Sequence, residues 1–261
     1  MKKNLSFVFT IIFCYLPFLS IEAQSVVQKL TFEALTEGDY TKWEKAVLYI
    51  EKNKDLSKIE NLEELIHCYY GLASALIARK MEKQASEVVK KGKKITENLL
   101  KKDPENALAM NYMGDFVGYE IAMNKMKAII LGKSCRKYLD KAYELEPDNP
   151  QILFDRGNSL YYPPKIFGGD KKEALKYYQQ AIAALEKQDK AKMNWVYLQL
   201  HVVQGHCYEL LGNDSLAEKS YLKVLRISPD FHVVKNELYP NLKNRMNGNS
   251  RITAKEKDYT L

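Results

Sequence analysis

Apolar positions along this chain recur at helical spacing, and short polar turns interrupt them at regular intervals. Trp43, Ala46, Val47 and Ile50 sit at i, i+3, i+4 and i+7, one apolar stripe of an α-helix. Gly38-Asp39-Tyr40 just before them reads as the turn of an incomplete first helix pair spanning Phe32 to Lys52. Further on, Gly71, Gly114 and Gly157 stand 43 residues apart, and Pro104 and Pro147 keep the same step. Asp103-Pro104-Glu105-Asn106-Ala107 recurs as Glu146-Pro147-Asp148-Asn149-Pro150. Self-similarity at this period predicts stacked supersecondary units, each burying its apolar face against the next.

The unit nearest the C-terminus is the most regular. Gly205, Tyr208, Gly212, Ala217, Tyr221, Leu225 and Pro229 fall on the spacing of a 34-residue helix-turn-helix repeat. On these residues the chain resembles the tetratricopeptide repeat (TPR) family. The resemblance implies an all-α fold, an α-solenoid of antiparallel helix pairs wound into a superhelix. Small residues such as Gly205 and Ala217 would bring two helices of a unit close together, with Tyr208, Tyr221 and Leu225 filling the space beside them.

Earlier units depart from that pattern. Gly71 to Pro104 and Gly114 to Pro147 each span 33 residues, against 24 from Gly205 to Pro229. Met110 to Leu131 is rich in helix formers, so longer helices account for the excess. The Gly157 unit carries an insertion, Tyr161-Tyr162-Pro163-Pro164-Lys165-Ile166-Phe167, whose paired prolines force an extended path. Asp170 then caps the next helix with Glu173 as the partner of a capping box, and Ser215 with Glu218 offers a second box. Ala174, Tyr178 and Ala181 repeat the spacing of Ala217, Tyr221 and Val224. Three to four complete units plus the N-terminal half are expected, occupying residues 24–240.

The chain opens with Lys2 and Lys3, an apolar run from Phe7 to Leu19, and Ile21-Glu22-Ala23 before Gln24. That order is the pattern of a secretory signal peptide, residues 1–23, cleaved after Ala23. Thirteen apolar residues are too few to span a bilayer as a helix. Cys14 lacks the small residues that a lipid-attachment box places before it. At the other end, residues 241–261 lose apolar periodicity and read as a polar, disordered tail.

Charge changes the picture little. Lys and Arg number 40 against 33 Asp and Glu, and the run Lys90-Lys91-Gly92-Lys93-Lys94 reads as a solvated helix face rather than a nucleic-acid contact. Cys68, Cys135 and Cys207 lack any CxxC spacing and fall at positions that suit small buried apolar residues. Chemistry is sparse. The four histidines, His67, His201, His206 and His232, show no HExxH spacing, and no phosphate loop, nucleophile elbow or dinucleotide fingerprint occurs. A non-enzyme with no cofactor and no metal is expected.

What such an array offers is a surface. The resemblance places the first helix of each unit along a concave groove that receives a peptide or a partner's helix. On that pattern Asn111 and Asp115, then Asp155 and Asn158, flank the repeat glycines as groove candidates. Tyr161, Tyr162, Ile166 and Phe167 on the proline-stiffened insertion are a second candidate contact, because rigid aromatics lose little entropy on binding. The function expected is an exported scaffold for protein-protein interaction, in the periplasm or at the outer-membrane periphery of a Gram-negative bacterium. Gly157 to Ala181 is also similar to periplasmic TPR proteins that accompany TRAP-type solute transporters, and that similarity implies the alternative of binding a small solute.

Overall fold

A computed structural model describes residues 25–248. Among them the regular structure is helical, and consecutive helices pack as antiparallel pairs: α1 (Val26–Glu37) with α2 (Tyr40–Asn53), α3 (Ile59–Ala78) with α4 (Glu82–Lys102), α5 (Ala107–Met123) with α6 (Ala128–Leu145), α7 (Pro150–Tyr161) with α8 (Lys171–Lys187), and α9 (Trp195–Leu210) with α10 (Asp214–Ile227). A π-helical turn, Val234–Leu238, leads into α11 (Tyr239–Met246). No described helix is long and apolar enough to cross a membrane. The signal-peptide reading of residues 1–23 lies outside the described residues.

Among the described residues there are five pairs, not three to four and a half. The missing helix is α1, whose start is fixed by Ser25 accepting from the Gln28 amide at 3.0 Å and whose end is the left-handed Gly38. The boundary at residue 241 also moves. Asn241 to Met246 is helical, because Leu242 is buried beside Tyr221, Val224 and Leu238. Residues 249–261 lie outside the described residues.

The repeated prolines mark repeated turns. Asp103, Glu146 and Ser228 each donate a backbone N–H to the last turn of the preceding helix, and Asn106, Asn149 and Phe231 close the turn three residues on. Asn106 and Asn149 then cap α5 and α7. The long third pair is two helices broken at Asn124, whose side chain caps a 3₁₀ turn, Lys125–Lys127.

Asp170 caps α8 as expected, accepting from the amides of Lys172 and Glu173 at 2.9 and 3.0 Å. Glu173 does not complete a box. Its carboxylate pairs with Lys176, and the Asp170 N–H donates to the Leu160 carbonyl. At α10 the cap is Asn213 rather than Ser215, and Glu218 reaches Lys243 at 3.0 Å.

The repeat glycines are places of close approach. A Cβ on Gly157 or Gly205 would collide with the ring of Tyr178 or Tyr221 from the second helix of the same pair, and one on Gly114 would meet Leu139. Gly71 differs, since its neighbour is Trp43 of the pair before. An equal step in sequence therefore hides two kinds of contact.

That Trp43 also reaches across the array. Its ring meets Trp195 of α9 edge-on at 5.1 Å, and Gln28 of α1 donates to the Lys192 carbonyl at 3.1 Å. The fifth pair thus closes onto the first two, and the interior between them is filled with aromatic rings.

Candidate functional site

First helices α3, α5 and α7 direct their polar residues into this interior. Asp155 of α7 is the hub. It accepts hydrogen bonds from the Tyr70 hydroxyl at 2.7 Å, from Asn111 Nδ2 and Gln151 Nε2 at 2.6 Å each, and from Asn158 Nδ2 at 3.2 Å. Asn111 also donates to Asp115 at 3.1 Å. Burial raises both carboxyls above the ordinary range, while the donors around Asp155 hold it lower than Asp115.

All four groove candidates meet in this one network. Asn111 and Asp155 are buried, Asp115 and Asn158 half-buried. They bond to one another and to Tyr70 of α3 instead of lining an open groove, and the Trp195 ring of α9 lies 6.1 Å from that of Tyr70. Repeat spacing puts them on one side of the first helices, but it carries no signal that their side chains bond to one another.

Beside the network sits a second arrangement that sequence reading missed. His67 of α3 accepts from the Trp195 indole N–H at Nε2, 2.8 Å, and its Nδ1 lies 2.6 Å from the Tyr112 hydroxyl. An indole only donates, so Nε2 must be unprotonated and Nδ1 carries the hydrogen toward Tyr112. Burial pushes the imidazole down to about 4, which keeps it neutral. Tyr70 stacks nearby at 6.4 Å from His67 and 5.5 Å from Tyr119.

On its outer side His67 borders an open cleft of ≈ 620 Å³. The Glu146-to-Gln151 turn forms one wall, while Leu185, Gln188, Lys190, Asn194 and Val196 form the other. Its lining mixes carboxylates, amides and a lysine with Leu108, Leu185 and Val196. A second, enclosed pocket between Tyr161, Val202, Val203, His206 and Leu238 is only ≈ 10 Å³, about enough for one water.

The insertion divides. Tyr161 is buried, its hydroxyl bonded to His206 Nδ1 and its ring under Lys171 at 4.3 Å, so it is a core residue and not a surface contact. Tyr162, Ile166 and Phe167 are exposed. After the prolines the chain makes a 3₁₀ turn, Lys165–Phe167, rather than staying extended, and Gly168 follows in the left-handed region at φ +90°. A Cβ at Gly169 would strike the Pro163 carbonyl, which is why a glycine pair follows the prolines.

Cys68 and Cys207 are buried and Cys135 is half-buried; all three are free thiols. Burial raises each of them, Cys135 and Cys207 to about 12. Among the described residues no three metal-ligating side chains converge.

Residues 198–231 match the tetratricopeptide repeat family. No curated protein matches the sequence. Among solved structures the fold is similar to the HusA haemophore from Porphyromonas gingivalis, at 16% identity and a TM-score of 0.56, covering 71% of this chain and 93% of that one. A thermophilic TPR protein from Thermus thermophilus aligns at 16% identity and a TM-score of 0.46, over 87% of this chain and 98% of its own. The stretch that matches a tetratricopeptide repeat, 198–231, spans the fifth of the antiparallel helix pairs among the described residues.

Proposed function

We propose that this chain is an exported, non-catalytic scaffold that holds a segment of another envelope protein in the cleft beside the Pro147 turn. The cleft carries the reading: it is open, ≈ 620 Å³ in volume, and it mixes apolar side chains with polar groups, the exposed Gln188 amide among them. Leu108 would seat an apolar side chain, and the exposed Gln188 would bond a peptide group beside it. The tetratricopeptide repeat at 198–231 supports a protein partner. Export rests on the lysines and apolar run of residues 1–23.

The test places a photo-crosslinking amino acid at the exposed Gln188 in the exported chain, in its own host. One recurrent protein adduct, lost when Leu108 is changed to Ser with the helical circular dichroism unchanged, is the expected result. A folded chain that yields no protein adduct overturns the scaffold reading, and a secreted chain still beginning at Met1 overturns cleavage.

A second reading, binding of a small solute, draws on the similarity of Gly157 to Ala181 to transporter-associated proteins and on a fold neighbour described as a haemophore. Its support is thinner. The enclosed pocket is water-sized, and both ring nitrogens of His67 already serve Trp195 and Tyr112. Native mass spectrometry of the purified chain would reveal a retained solute.

A further inference from the structure

One surface, remote from the cleft in composition and role, combines exposed aliphatic side chains with an unbroken run of cations. Ile129 and Ile130, in the first turn of α6, are 81% and 79% exposed, and Met126 in the 3₁₀ turn before them is 74% exposed. Of the 18 residues of α6 only Leu139 and Ala142 are buried, both in its C-terminal half. A Cβ at Gly132 would meet nothing within 4 Å.

The insertion after α7 joins this surface. Arg136 Nη2 donates to the Phe167 carbonyl at 3.4 Å, which brings Ile166, 85% exposed, and Phe167, 59% exposed, beside the outer face of α6. Five large apolar side chains from two separate stretches of chain thus face solvent, Ile166 and Phe167 beside Arg136, about two helical turns along α6 from Ile129. Singly exposed aliphatics are ordinary, but a cluster of this size marks an interaction surface.

Charge selects the partner. Between Glu120 and Asp140 the chain has no acid and five cations: Lys125, Lys127, Lys133, Arg136 and Lys137. Lys127 alone of these stands within ion-pair distance of an acid among the described residues, Glu120 at 4.0 Å. Lys165 adds a sixth from the insertion. The acids that follow it are engaged, Asp170 by the first amides of α8 and Glu173 by Lys176. On a helix rising 1.5 Å per residue, Lys133 and Lys137 stand roughly 6 and 12 Å behind Ile129. Exposed apolar side chains and lysines sharing this length of α6 match the interface of an anionic bilayer lying along it, where shallow apolar burial and attraction to anionic lipid act together. A protein partner would need acids facing six cations and an apolar socket as well. An anionic membrane supplies both without a shaped site.

We propose that the surface formed by Met126, Ile129, Ile130, Ile166 and Phe167, ringed by Lys125, Lys133, Lys137 and Lys165, docks the protein onto an anionic lipid bilayer. The substitution Ile130→Trp, in the full chain, reports insertion locally, because the native Trp43 and Trp195 are buried in the core at 2% and 7% exposure. Vesicles of phosphatidylglycerol and phosphatidylcholine, with bromine on the acyl chains, should quench the introduced indole. A control indole at Leu48→Trp, on exposed α2 surface, should stay bright.

Quenching should vanish with phosphatidylcholine alone and at high salt, and each of Lys133→Glu and Lys137→Glu should weaken binding by roughly fivefold or more. Ile166→Ser with Phe167→Ser should weaken it too, with the helical circular dichroism unchanged. An unquenched indole at position 130 while the chain still floats with vesicles would overturn the proposal, as would equal quenching at position 48. Protection of that indole by a co-purified protein, with no response to lipid, would overturn it in favour of a protein partner.

Discussion

Trp195 lies edge-on to Trp43 with ring centroids 5.1 Å apart, although one opens the fifth helix pair and the other belongs to the first. The same indole donates to His67 Nε2 at 2.8 Å. A single side chain therefore fastens the far end of the array to its beginning.

Replacing Trp195 with Ala should cost about 3–5 kcal/mol of stability, the usual loss for a large buried aromatic. Trp195→Phe keeps much of the ring but leaves His67 Nε2 without its donor, for a cost of about 1–3 kcal/mol. Urea unfolding measures both. If Trp195 closes the array, hydrogen exchange in α2 and α3 must quicken in the Ala variant. Protection there that matched the parent chain would refute closure.

Acid should destabilise the fold through two histidines. Burial lowers His67 and His201 to about 4, below the ordinary 6.5. Between those values the unfolded chain binds protons that the folded chain refuses, so stability is full above pH 6.5 and falls as pH drops toward 4. Each histidine should cost up to about 2 kcal/mol on going from pH 7 to pH 5. Asp115 and Asp155, raised by burial, act with the opposite sign, because their protonated forms are favoured in the folded state. The measurement is thus the difference between the parent and His201→Gln across pH 5 to 7. Parallel stability curves would rule out a contribution from His201.

The same substitution should have opposite effects at two helical glycines. Gly157→Ala drives a methyl group into the fully buried ring of Tyr178 and should destabilise by about 1–3 kcal/mol. Gly132→Ala, within α6 and facing open space, should stabilise by about 0.5–1 kcal/mol through helix propensity alone. Thermal unfolding of the two variants decides it. Because the clash is with ring carbons, Tyr178→Phe should not rescue Gly157→Ala, whereas Tyr178→Leu should recover part of the loss.

Local features of this fold are legible in the sequence. Pro104, Pro147 and Pro229 announce their turns because a turn is a local event, and Gly38, Asp39 and Asp170 do so for the same reason. Trp43, Ala46, Val47 and Ile50 are buried as their helical spacing requires. Asn111, Asp115, Asp155 and Asn158 are correctly grouped, since the repeat puts equivalent positions of successive first helices side by side. Their burial is a different matter. It comes with the hydrogen bonds they make to one another and to Tyr70 of α3, side-chain pairings across units that leave no periodic trace. Tyr161 and Tyr162 are adjacent and chemically alike, yet one enters the core beside His206 and the other stays outside. Only the direction of the last turn of α7 separates them.

The segment after Pro240 gives the last contrast, because its polar composition conceals a structural role. Arg245 reaches back to Glu209 at 2.7 Å and Asp214 at 2.9 Å, tying α11 to both helices of the fifth pair. Glu209 also accepts the Tyr221 hydroxyl and its side chain is only 5% exposed, so it depends on Arg245 for a counter-charge. Arg245→Met should therefore cost about 3 kcal/mol, the lower end for an ion left unpaired inside a protein. Glu209→Gln combined with Arg245→Met should cost less than Arg245→Met alone, since the stranded charge is gone. Ending the chain after Pro240 should be worse than either, as Leu242 is lost from the core as well. Denaturant unfolding of the three variants orders them, and a truncated chain as stable as the parent would return residues 241–246 to the status of a dispensable tail.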